Sequence, residues 1–293
     1  METLKLKTAI YPGCSLEGTE SAYEISLVKV LDALCIEHNT LDDWNCCGAT
    51  SAHALDHSLY LSLAMRNLEL AELQGHNEIL APCAACYHRL ASANFELNKD
   101  ATLLKQLNKE AELNYQGKVK VRNVLDFLAN VLGTSQIASR VVEPLSGLKV
   151  VCYYGCLNTR IPRMESFDNM EYPTSMDRIV EALGAESLDW SYKTECCGAS
   201  LFVSSESTAT KLVSKILKDA VARDADCIII ACPMCHNNLD TLQKDIRSSF
   251  GISKLIPILF ITQLMGLAFG MSESELKLDN SFVPYSLPEH NKP

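Results

Sequence analysis

Ten of the thirteen cysteines fall into two groups of five, a density of thiols typical of metal binding or redox chemistry. The first group is Cys14, Cys46, Cys47, Cys83 and Cys86, and the second is Cys156, Cys196, Cys197, Cys232 and Cys235. A single Cys-x-x-Cys pair is compatible with zinc, a redox disulfide or an iron-sulfur cluster. Two copies of a five-cysteine set are more informative, because the number of ligands differs among these sites.

The number of thiols in each group favours an iron-sulfur cluster over zinc. A structural zinc site closes with four ligands, and the adjacent Cys46 and Cys47 are awkward as a pair on one small tetrahedral ion. Five thiolates fit a larger, polynuclear iron-sulfur core better, especially if one of them bridges two irons. Zinc remains the alternative.

The two cysteine groups lie in two copies of one sequence pattern. Each copy runs from Tyr-x-Gly-Cys through Cys-Cys-Gly to Cys-x-x-Cys, and the copies are offset by roughly 150 residues. The matching segments are 11–14 with 153–156, 45–50 with 195–200, and 79–86 with 230–235. Duplication explains this pattern, so we expect two similar domains, residues 1–140 and 147–293, joined by a stretch at 134–147 that has no clear periodicity.

Short apolar runs just before the cysteines predict buried β-strands. These runs span residues 6–11, 78–81, 148–154 and 227–231, and segments with helical spacing cover 22–34, 58–73, 176–183 and 208–222. Strands that alternate with helices predict an α/β fold with small, mostly parallel sheets flanked by helices. Ligands of such sheets bind at the carboxyl ends of the strands, where we expect Cys14, Cys83, Cys156 and Cys232 and hence both clusters.

Cys83 and Cys232 are expected at the N-termini of the helices that follow their strands. Free amide groups and the helix dipole at such a position stabilise a thiolate and an anionic cluster. Pro82 or Pro233 suits this kind of helix entry. No G-x-G-x-x-G follows any of the predicted strands, so a tightly held dinucleotide is not supported.

Composition and charge exclude several classes of partner. The formal net charge of −10, with no dense Lys/Arg stretch, makes nucleic acid a poor partner. The apolar stretch 255–269 is short for a bilayer and is expected to be a buried helix, so we expect no direct membrane span. The N-terminus does not read as a signal peptide and the cysteine count is odd, which together predict a reducing, cytoplasmic location.

The doubled motif resembles the cysteine-rich CCG domain, and the tandem arrangement is similar to the heterodisulfide reductase subunit that carries two such domains. The resemblance covers nearly the whole chain and depends on Cys-Cys-Gly at 46–48 and 196–198 together with the flanking cysteines. It implies two noncubane [4Fe-4S] clusters, each ligated by the five cysteines of one group. All ten ligand positions are filled in this sequence.

The resemblance also implies an enzyme, namely an oxidoreductase that acts on a sulfur group and works within a complex. A disulfide of thiol cofactors would be reduced, or formed in reverse, between the two clusters, and each cluster iron would capture one sulfur. Two clusters suit this reaction, because cleaving a disulfide takes two electrons and a cluster passes one at a time. The alternative is an electron-transfer subunit of another oxidoreductase complex, in sulfur metabolism or 2-hydroxy acid oxidation.

The electrons are expected to come from partner subunits. The chain lacks the ferredoxin-type run of four closely spaced cysteines that occurs in several fused relatives. The resemblance suggests a small ferredoxin-type iron-sulfur subunit as the direct electron donor, and behind it a flavin subunit. The remaining partner is the small-molecule disulfide substrate.

Two histidines are candidate proton donors. His88 and His236 lie just beyond the two Cys-x-x-Cys pairs, and histidine titrates near neutral pH. A helix-capping or surface role is the alternative for both. His53 and His57 lie four residues apart, but no third metal ligand is evident nearby, so we expect them to be solvent-facing helix residues.

Three cysteines, Cys35, Cys152 and Cys227, lie outside the repeated pattern. Free cysteine is often a small buried side chain, and this is the role expected for each of them. Cys152 stands out because it lies four residues before Cys156.

Overall fold

In the computed structural model, which describes residues 6–49, 52–161 and 166–285, the chain forms two four-stranded parallel sheets. The strands are β1 Lys7–Ile10, β2 Glu37–Thr40, β3 Glu78–Ala81, β4 Lys120–Asn123, β5 Lys149–Tyr153, β6 Glu186–Ser187, β7 Cys227–Ile230 and β8 Ile258–Phe260. Their order is β2-β1-β3-β4 in the first sheet and β6-β5-β7-β8 in the second. The two sheets therefore share one topology, as the sequence repeat predicts.

Helices connect the strands and flank the sheets, which confirms the predicted α/β class. They are α1 Gly13–Leu16, α2 Ser21–Ala33, α3 Ala52–Leu55, α4 His57–Leu73, α5 Ala84–Lys99, α6 Ala101–Glu110, α7 Val124–Asp126, α8 Thr134–Ala138, α9 Ser175–Ala182, α10 Glu206–Ala222, α11 Pro233–Thr241, α12 Gln243–Phe250 and α13 Ile261–Ala268. A π-helix covers Phe127–Gly133, and 3-10 helices cover Ala199–Leu201 and Leu278–Asn280. All four strands and all four helices expected from the sequence are present at nearly the expected bounds.

Local sequence signals fix several helix ends. Asp56 caps α4, because its carboxylate accepts a hydrogen bond from the Leu59 amide at 2.7 Å. Asp100 caps α6 in the same way and accepts from the amides of Thr102 and Leu103 at 2.9 and 3.0 Å. Proline at the first position of α11 has a suitable φ and needs no amide partner there.

Two stretches differ from the sequence-based expectation. Residues 255–269 are not one helix but strand β8 followed by helix α13, since a continuous apolar run fits a fully buried parallel strand as well as a buried helix. The stretch 134–147 begins with α8, which is too short to reveal a helical period in the sequence. Across the described ranges, no helix combines the length and the apolar character that crossing a bilayer requires.

The two halves pack against each other through a shared apolar core. One buried cluster combines Leu27 and Leu31 of α2 with Leu264 and Met265 of α13 and with Val150 of β5. Such a continuous core holds the two sheets in a fixed relation, because interiors are close-packed and deform little.

A buried hydroxyl pair adds a specific polar contact between the same two helices. The hydroxyls of Ser26 and Thr262 lie 2.6 Å apart, and both residues are fully buried. Each hydroxyl thereby satisfies the other in an apolar setting, where an unpaired one would be costly.

Candidate cysteine-lined metal centre

The strand order of each sheet reverses between its two central strands, and the cysteines lie at that point. Successive connections from β1 go to opposite sides of the sheet, because β2 pairs with one edge of β1 and β3 with the other. A crevice opens outside the carboxyl ends of such strands and is the usual ligand position of a parallel sheet. Cys14 follows β1 and Cys83 follows β3, while Cys156 and Cys232 follow the equivalent β5 and β7.

The first cysteine group contains a close sulfur contact. The Sγ atoms of Cys47 and Cys86 lie 3.2 Å apart, although the two cysteines are 39 positions apart in sequence. The amide of Gly48 donates to Cys46 Sγ at 3.4 Å. Cys14 and Cys46 are exposed, whereas the other three members are buried, so the group reaches from the interior to the surface.

The second cysteine group repeats this arrangement. The Sγ atoms of Cys197 and Cys235 lie 3.5 Å apart, and the amide of Gly198 donates to Cys196 Sγ at 3.3 Å. One pocket is lined by every member of the group, namely Cys156, Cys196, Cys197, Cys232 and Cys235. Ala84 and Ala85, which belong to the first half, form part of its wall, so the pocket lies between the halves.

Glycine is required just before the first cysteine of each group. Gly13 and Gly155 have left-handed φ values of 67° and 68°. A Cβ at Gly13 would lie 3.0 Å from Cys86 Sγ, and a Cβ at Gly155 would lie 3.2 Å from Cys235 Sγ. The backbone therefore passes directly over the last cysteine of the group, which only glycine permits without displacing that thiol.

Two tyrosines that sequence analysis did not single out hold the Cys-Cys-Gly loops. The buried Tyr11 hydroxyl donates to the carbonyl of Asn45 at 2.8 Å, and the Tyr153 hydroxyl donates to that of Glu195 at 2.6 Å. Each acceptor directly precedes a Cys-Cys pair. The signal was present in the sequence, because both tyrosines occupy the first position of the repeated Tyr-x-Gly-Cys segment.

Asparagine side chains fix the same loops from a second direction. Asn67 of α4 bonds both to the amide and to the carbonyl of Asn45, at 2.9 and 3.0 Å. Asn238 of α11 donates to the carbonyl of Cys197 at 2.6 Å. Both asparagines are buried, so these bonds form in a setting where loop movement would leave polar groups unpaired.

Contacts among the thiols lower the pKa of at least one thiol in each group. Hydrogen bonds with the thiols of Cys46 and then Cys86 lower the pKa of the Cys47 thiol to about 3. In the second group the Cys156 thiol donates to Cys196 and lowers the pKa of Cys196 to about 6. Each group thus favours at least one thiolate, the form of cysteine that binds metal.

The two groups meet at Cys83 and Cys232. The neighbouring Cys232 thiol lowers the pKa of the Cys83 thiol well below its usual value. Both residues directly precede a helix, α5 in one half and α11 in the other, as predicted. The candidate sites are therefore adjacent and are not two isolated centres.

Comparison with known proteins identifies the fold family. A model of the cysteine-rich CCG domain matches residues 8–91 and again residues 150–240, so each match contains one complete cysteine group. The chain belongs to the tandem CCG-domain family. The CCG relatives include a subunit of the ferredoxin/F420H2-dependent CoB-CoM heterodisulfide reductase from Methanosarcina acetivorans, which is 35% identical over 94% of both chains.

Another CCG relative carries a different functional name at nearly the same identity. The 8-methylmenaquinol:fumarate reductase membrane anchor subunit of Wolinella succinogenes is 33% identical over 94% of this chain and 96% of its own length. Both names denote subunits of oxidoreductase complexes.

A solved structure shares the fold of the CCG protein. A hypothetical protein from Helicobacter pylori superposes with a TM-score of 0.75 over 97% of this chain, at 12% identity. The present chain spans 53% of that protein, so the likeness covers about half of the larger chain. At this identity the comparison supports the fold alone.

The candidate proton donors of the CCG protein are buried, so the surface role considered for them is wrong. His236 Nδ1 lies 2.9 Å from a carboxylate oxygen of Glu20, and its Nε2 lies 3.3 Å from the carbonyl of Ile258. Both ring nitrogens are therefore engaged. His88 Nδ1 is buried without a hydrogen-bond partner among the described residues, and burial lowers the pKa of His88 to about 4.

His88 shares an open pocket with His53 and His57. The sequence analysis did not predict that these three histidines lie together. His57 Nε2 is hydrogen-bonded to Glu96 at 2.7 Å, and Arg89 lies in the same wall. Within the described residues, no group of three or more His, Cys, Asp or Glu side chains, in this pocket or in the cysteine groups, is arranged to hold a metal ion. The ligand assignment of the ten cysteines accordingly stays a prediction from residue type and proximity.

The other three cysteines divide into two kinds. Cys152 and Cys227 are fully buried, as expected, and burial raises the pKa of both thiols. Cys152 shares a core with Tyr154, whereas its neighbour Tyr153 packs with Cys232, so Cys152 faces away from the second cysteine group.

The expectation of burial is wrong for Cys35. It is exposed, with a left-handed φ of 57° just after the end of α2, and the guanidinium of Arg140 lies 3.3 Å from its Sγ. Residues that follow a helix end commonly adopt this conformation at the surface, which explains the exposure.

Proposed function

We propose that this chain is the iron-sulfur subunit that reduces, or in reverse forms, a disulfide of thiol cofactors in a complex similar to heterodisulfide reductase. Two noncubane [4Fe-4S] clusters would be held by the two five-cysteine groups. The observation that carries the proposal is that one pocket between the halves is lined by all five cysteines of the second group.

Contacts between sulfurs within each group support the proposal of polynuclear clusters. Sulfurs from separate loops approach within 3.2 and 3.5 Å, and the main-chain amides of Gly48 and Gly198 point at Cys46 and Cys196. Amide donors aimed at sulfur stabilise thiolate ligands and set the reduction potential of a cluster. When bound, the clusters would supply single electrons at iron to a substrate that needs two.

The protein's own residues would shape the substrate site. The pocket between the halves is lined by Leu157, Met234, Ala84 and Ala85 in addition to the cysteines. Such a wall excludes water and suits an apolar carbon chain next to a sulfur atom, as in a thiol-derived disulfide. The contact of Cys83 with Cys232 supports a shared site, because it keeps both candidate centres within reach of one ligand.

Partners and location are part of the same proposal. A ferredoxin-type iron-sulfur subunit and a flavin subunit would deliver electrons, in keeping with relatives that are themselves named as subunits of reductase complexes. A reducing cytoplasmic location agrees with thirteen free cysteines, several of them exposed.

An electron relay is the second candidate function. It is favoured by the 33% identity with the subunit of a menaquinol-linked fumarate reductase, which is nearly as high as the identity with the heterodisulfide reductase subunit. In a relay, the same cysteine groups would pass electrons to a partner that carries out the reduction.

The two functions can be separated in the purified complex under anoxic conditions. The reduced protein is mixed with the CoB-CoM heterodisulfide and with a panel of other disulfides, and the electron paramagnetic resonance signals of the clusters are followed. We expect one disulfide to perturb both signals. A complex in which no disulfide changes either signal, while electrons still flow through it to another acceptor, would exclude the catalytic function.

A variant pair tests whether the pocket receives the substrate. Met234→Phe narrows the pocket between the halves, and Met170→Phe makes the same change at a position that is 45% exposed and lies outside that pocket. We expect Met234→Phe to raise the KM for the disulfide and Met170→Phe to leave it unchanged. Equal KM values in both variants would exclude this pocket as the substrate site.

A further inference from the structure

The open pocket that contains His88, called the α5 pocket below, lies outside both cysteine groups. It has a volume of about 630 Å³ and is lined by α5 from His88 to Lys99, together with His53, His57 and Tyr60 of α3 and α4. Small-molecule sites commonly enclose about 300–1,000 Å³. The residues that line it include no cysteine and none that lines the pocket between the halves. The two pockets are therefore separate sites.

The α5 pocket follows one face of its helix. The lining residues His88, Ser92, Phe95 and Lys99 lie at steps of four, three and four positions, which places their side chains on the same side of α5. At a rise of about 1.5 Å per residue, this face is about 16 Å long. The pocket therefore has the length to take an extended small molecule.

Both acidic side chains that line the α5 pocket already have hydrogen-bond partners. Glu96 is hydrogen-bonded to His57 Nε2 at 2.7 Å. Asp100 accepts from the amides of Thr102 and Leu103, which begin helix α6. Among the described residues, neither carboxylate is paired with an arginine or a lysine.

Two cations of the α5 pocket consequently have no counter-charge. The guanidinium of Arg89 lies over the Tyr60 ring at 5.6 Å, and the ammonium of Lys99 lies over the Phe95 ring at 5.5 Å. These contacts help to hold both cations in place. Neither cation forms a salt bridge with any residue that the structure describes. An anionic ligand would supply the missing charge, and a guanidinium binds carboxylate or phosphate through two parallel N–H groups.

Buried polar groups in the wall of the α5 pocket also lack partners. His88 is only 9% exposed and its side chain forms no hydrogen bond with a described residue. The buried hydroxyl of Ser92, one turn further along the same face, is likewise unpaired within the described ranges. Buried polar atoms are nearly always hydrogen-bonded. Because both residues line the pocket, a molecule bound there is well placed to pair with them.

We propose that the α5 pocket binds a small organic anion, a carboxylate or a phosphate ester, whose charged group is held by Arg89. Hydrogen bonds from His88 and Ser92 position that group, and the carbon skeleton lies along the ring of Phe95 toward Lys99. The uncompensated cations and the unpaired side chains both favour such a ligand over a neutral one. The proposal concerns binding alone, and it goes beyond the proposed function because it requires neither cluster.

The test is isothermal titration calorimetry of the anaerobically purified protein with three probes of similar size. These are 1-naphthyl phosphate, 1-naphthoate and the neutral 1-naphthalenemethanol. We expect saturable binding of at least one of the two anions and much weaker binding of the alcohol. The tighter of the two anions identifies whether phosphate or carboxylate is the preferred group.

Four variants locate the bound probe. Arg89→Met and Lys99→Met each remove one charge of the α5 pocket, and Arg223→Met is the matched control because it removes a cation outside that pocket. We expect the Kd of the tighter anion to rise at least about tenfold in Arg89→Met, since a charge-assisted hydrogen bond is lost, and to stay unchanged in Arg223→Met. Lys99→Met should show a smaller rise, because Lys99 is exposed and its charge is screened by solvent.

The fourth variant separates a contact with the ligand from a structural role. Ser92→Ala should weaken anion binding several-fold without lowering the melting temperature of the ligand-free protein, because the hydroxyl has no partner there among the described residues. Circular dichroism of every variant shows whether the fold is retained. Lys99→Met changes an exposed side chain, so it keeps the test decisive even if Arg89→Met does not fold.

Three results would overturn the inference. The first is the absence of saturable binding of either anion to the wild type. The second is an equal Kd in Arg89→Met, Lys99→Met and Arg223→Met, which would show that the anion binds elsewhere. The third is binding of the neutral alcohol as tightly as the anions. Each of these results would leave the proposed function intact, because no cysteine lines this pocket.

Discussion

Cys83 and Cys232 occupy the same position in the two halves, and the interaction between their thiols lowers the pKa of the Cys83 thiol. Each ends the loop between a buried central strand and the helix that follows it. Because the two equivalent loops face one another, the duplicated cysteine groups form a paired site. Two one-electron centres that meet in this way suit a reaction that needs two electrons.

We expect the two site glycines to be indispensable for the cysteine geometry. Gly13→Ala and Gly155→Ala each impose a left-handed φ on alanine and drive a Cβ toward a cysteine sulfur. Gly75→Ala imposes the same backbone strain, about 1–2 kcal/mol, but has no heavy atom within 4 Å of the new Cβ among the residues that the structure describes. Iron content should fall in the first two variants and stay unchanged in Gly75→Ala. Equal iron content in all three would refute the close approach.

We expect the tyrosines that hold the Cys-Cys-Gly loops to contribute to stability. Tyr11→Phe and Tyr153→Phe remove the hydrogen bonds to Asn45 and Glu195, so the free energy of unfolding should fall by about 1 kcal/mol in each. Chemical denaturation of the iron-free protein measures this difference. Because the Tyr23 hydroxyl has no partner among the described residues of the iron-free protein, Tyr23→Phe should cause no such loss there, which provides the control.

We expect the pair formed by Glu20 and His236 to hold the halves together. His236→Phe preserves an aromatic ring next to Phe260 but leaves the buried Glu20 carboxylate unpaired, which should lower the free energy of unfolding by about 3–5 kcal/mol. The double variant Glu20→Leu with His236→Phe removes both members of the pair and should recover most of that loss. A double variant as unstable as the single one would show that the unpaired Glu20 carboxylate is not the cause of the loss.

We expect Cys152 to be dispensable for metal binding although it lies close to Cys156 in sequence. The Cys152 side chain lies on the face of β5 that points away from the second cysteine group, and it contacts the Ser187 hydroxyl at 3.5 Å. Cys152→Ala should therefore keep the full iron content, while Cys156→Ala should lose one cluster. Loss of iron from Cys152→Ala with the fold intact would place Cys152 among the ligands.

The sequence predicts the strands next to the cysteines well, and the reason is physical. Cys227–Ile230 is buried throughout and Lys149–Tyr153 is buried after its first residue, so both show as continuous apolar runs. Two edge strands were not predicted, namely Glu37–Thr40 and Glu186–Ser187. They are short, polar and largely exposed, so their residue composition is the same as that of a loop.

The relation between the halves could not be read from the sequence. The stack of Tyr23 on Phe260 and the contact of Cys83 with Cys232 depend on how α2 packs on α13, and no local period encodes that packing. The duplication did predict two equivalent cysteine groups. It could not predict that a tyrosine of one half would stack on a phenylalanine of the other.

The central claim is that each five-cysteine group binds one polynuclear iron-sulfur cluster, and the most direct test is the content of iron and acid-labile sulfide in anaerobically purified protein. The account predicts about eight irons per chain, reduced to about half by either Cys14→Ser or Cys156→Ser and unchanged by Cys35→Ser. About two zinc ions per chain without sulfide, or an equal loss of iron in all three variants, would contradict it.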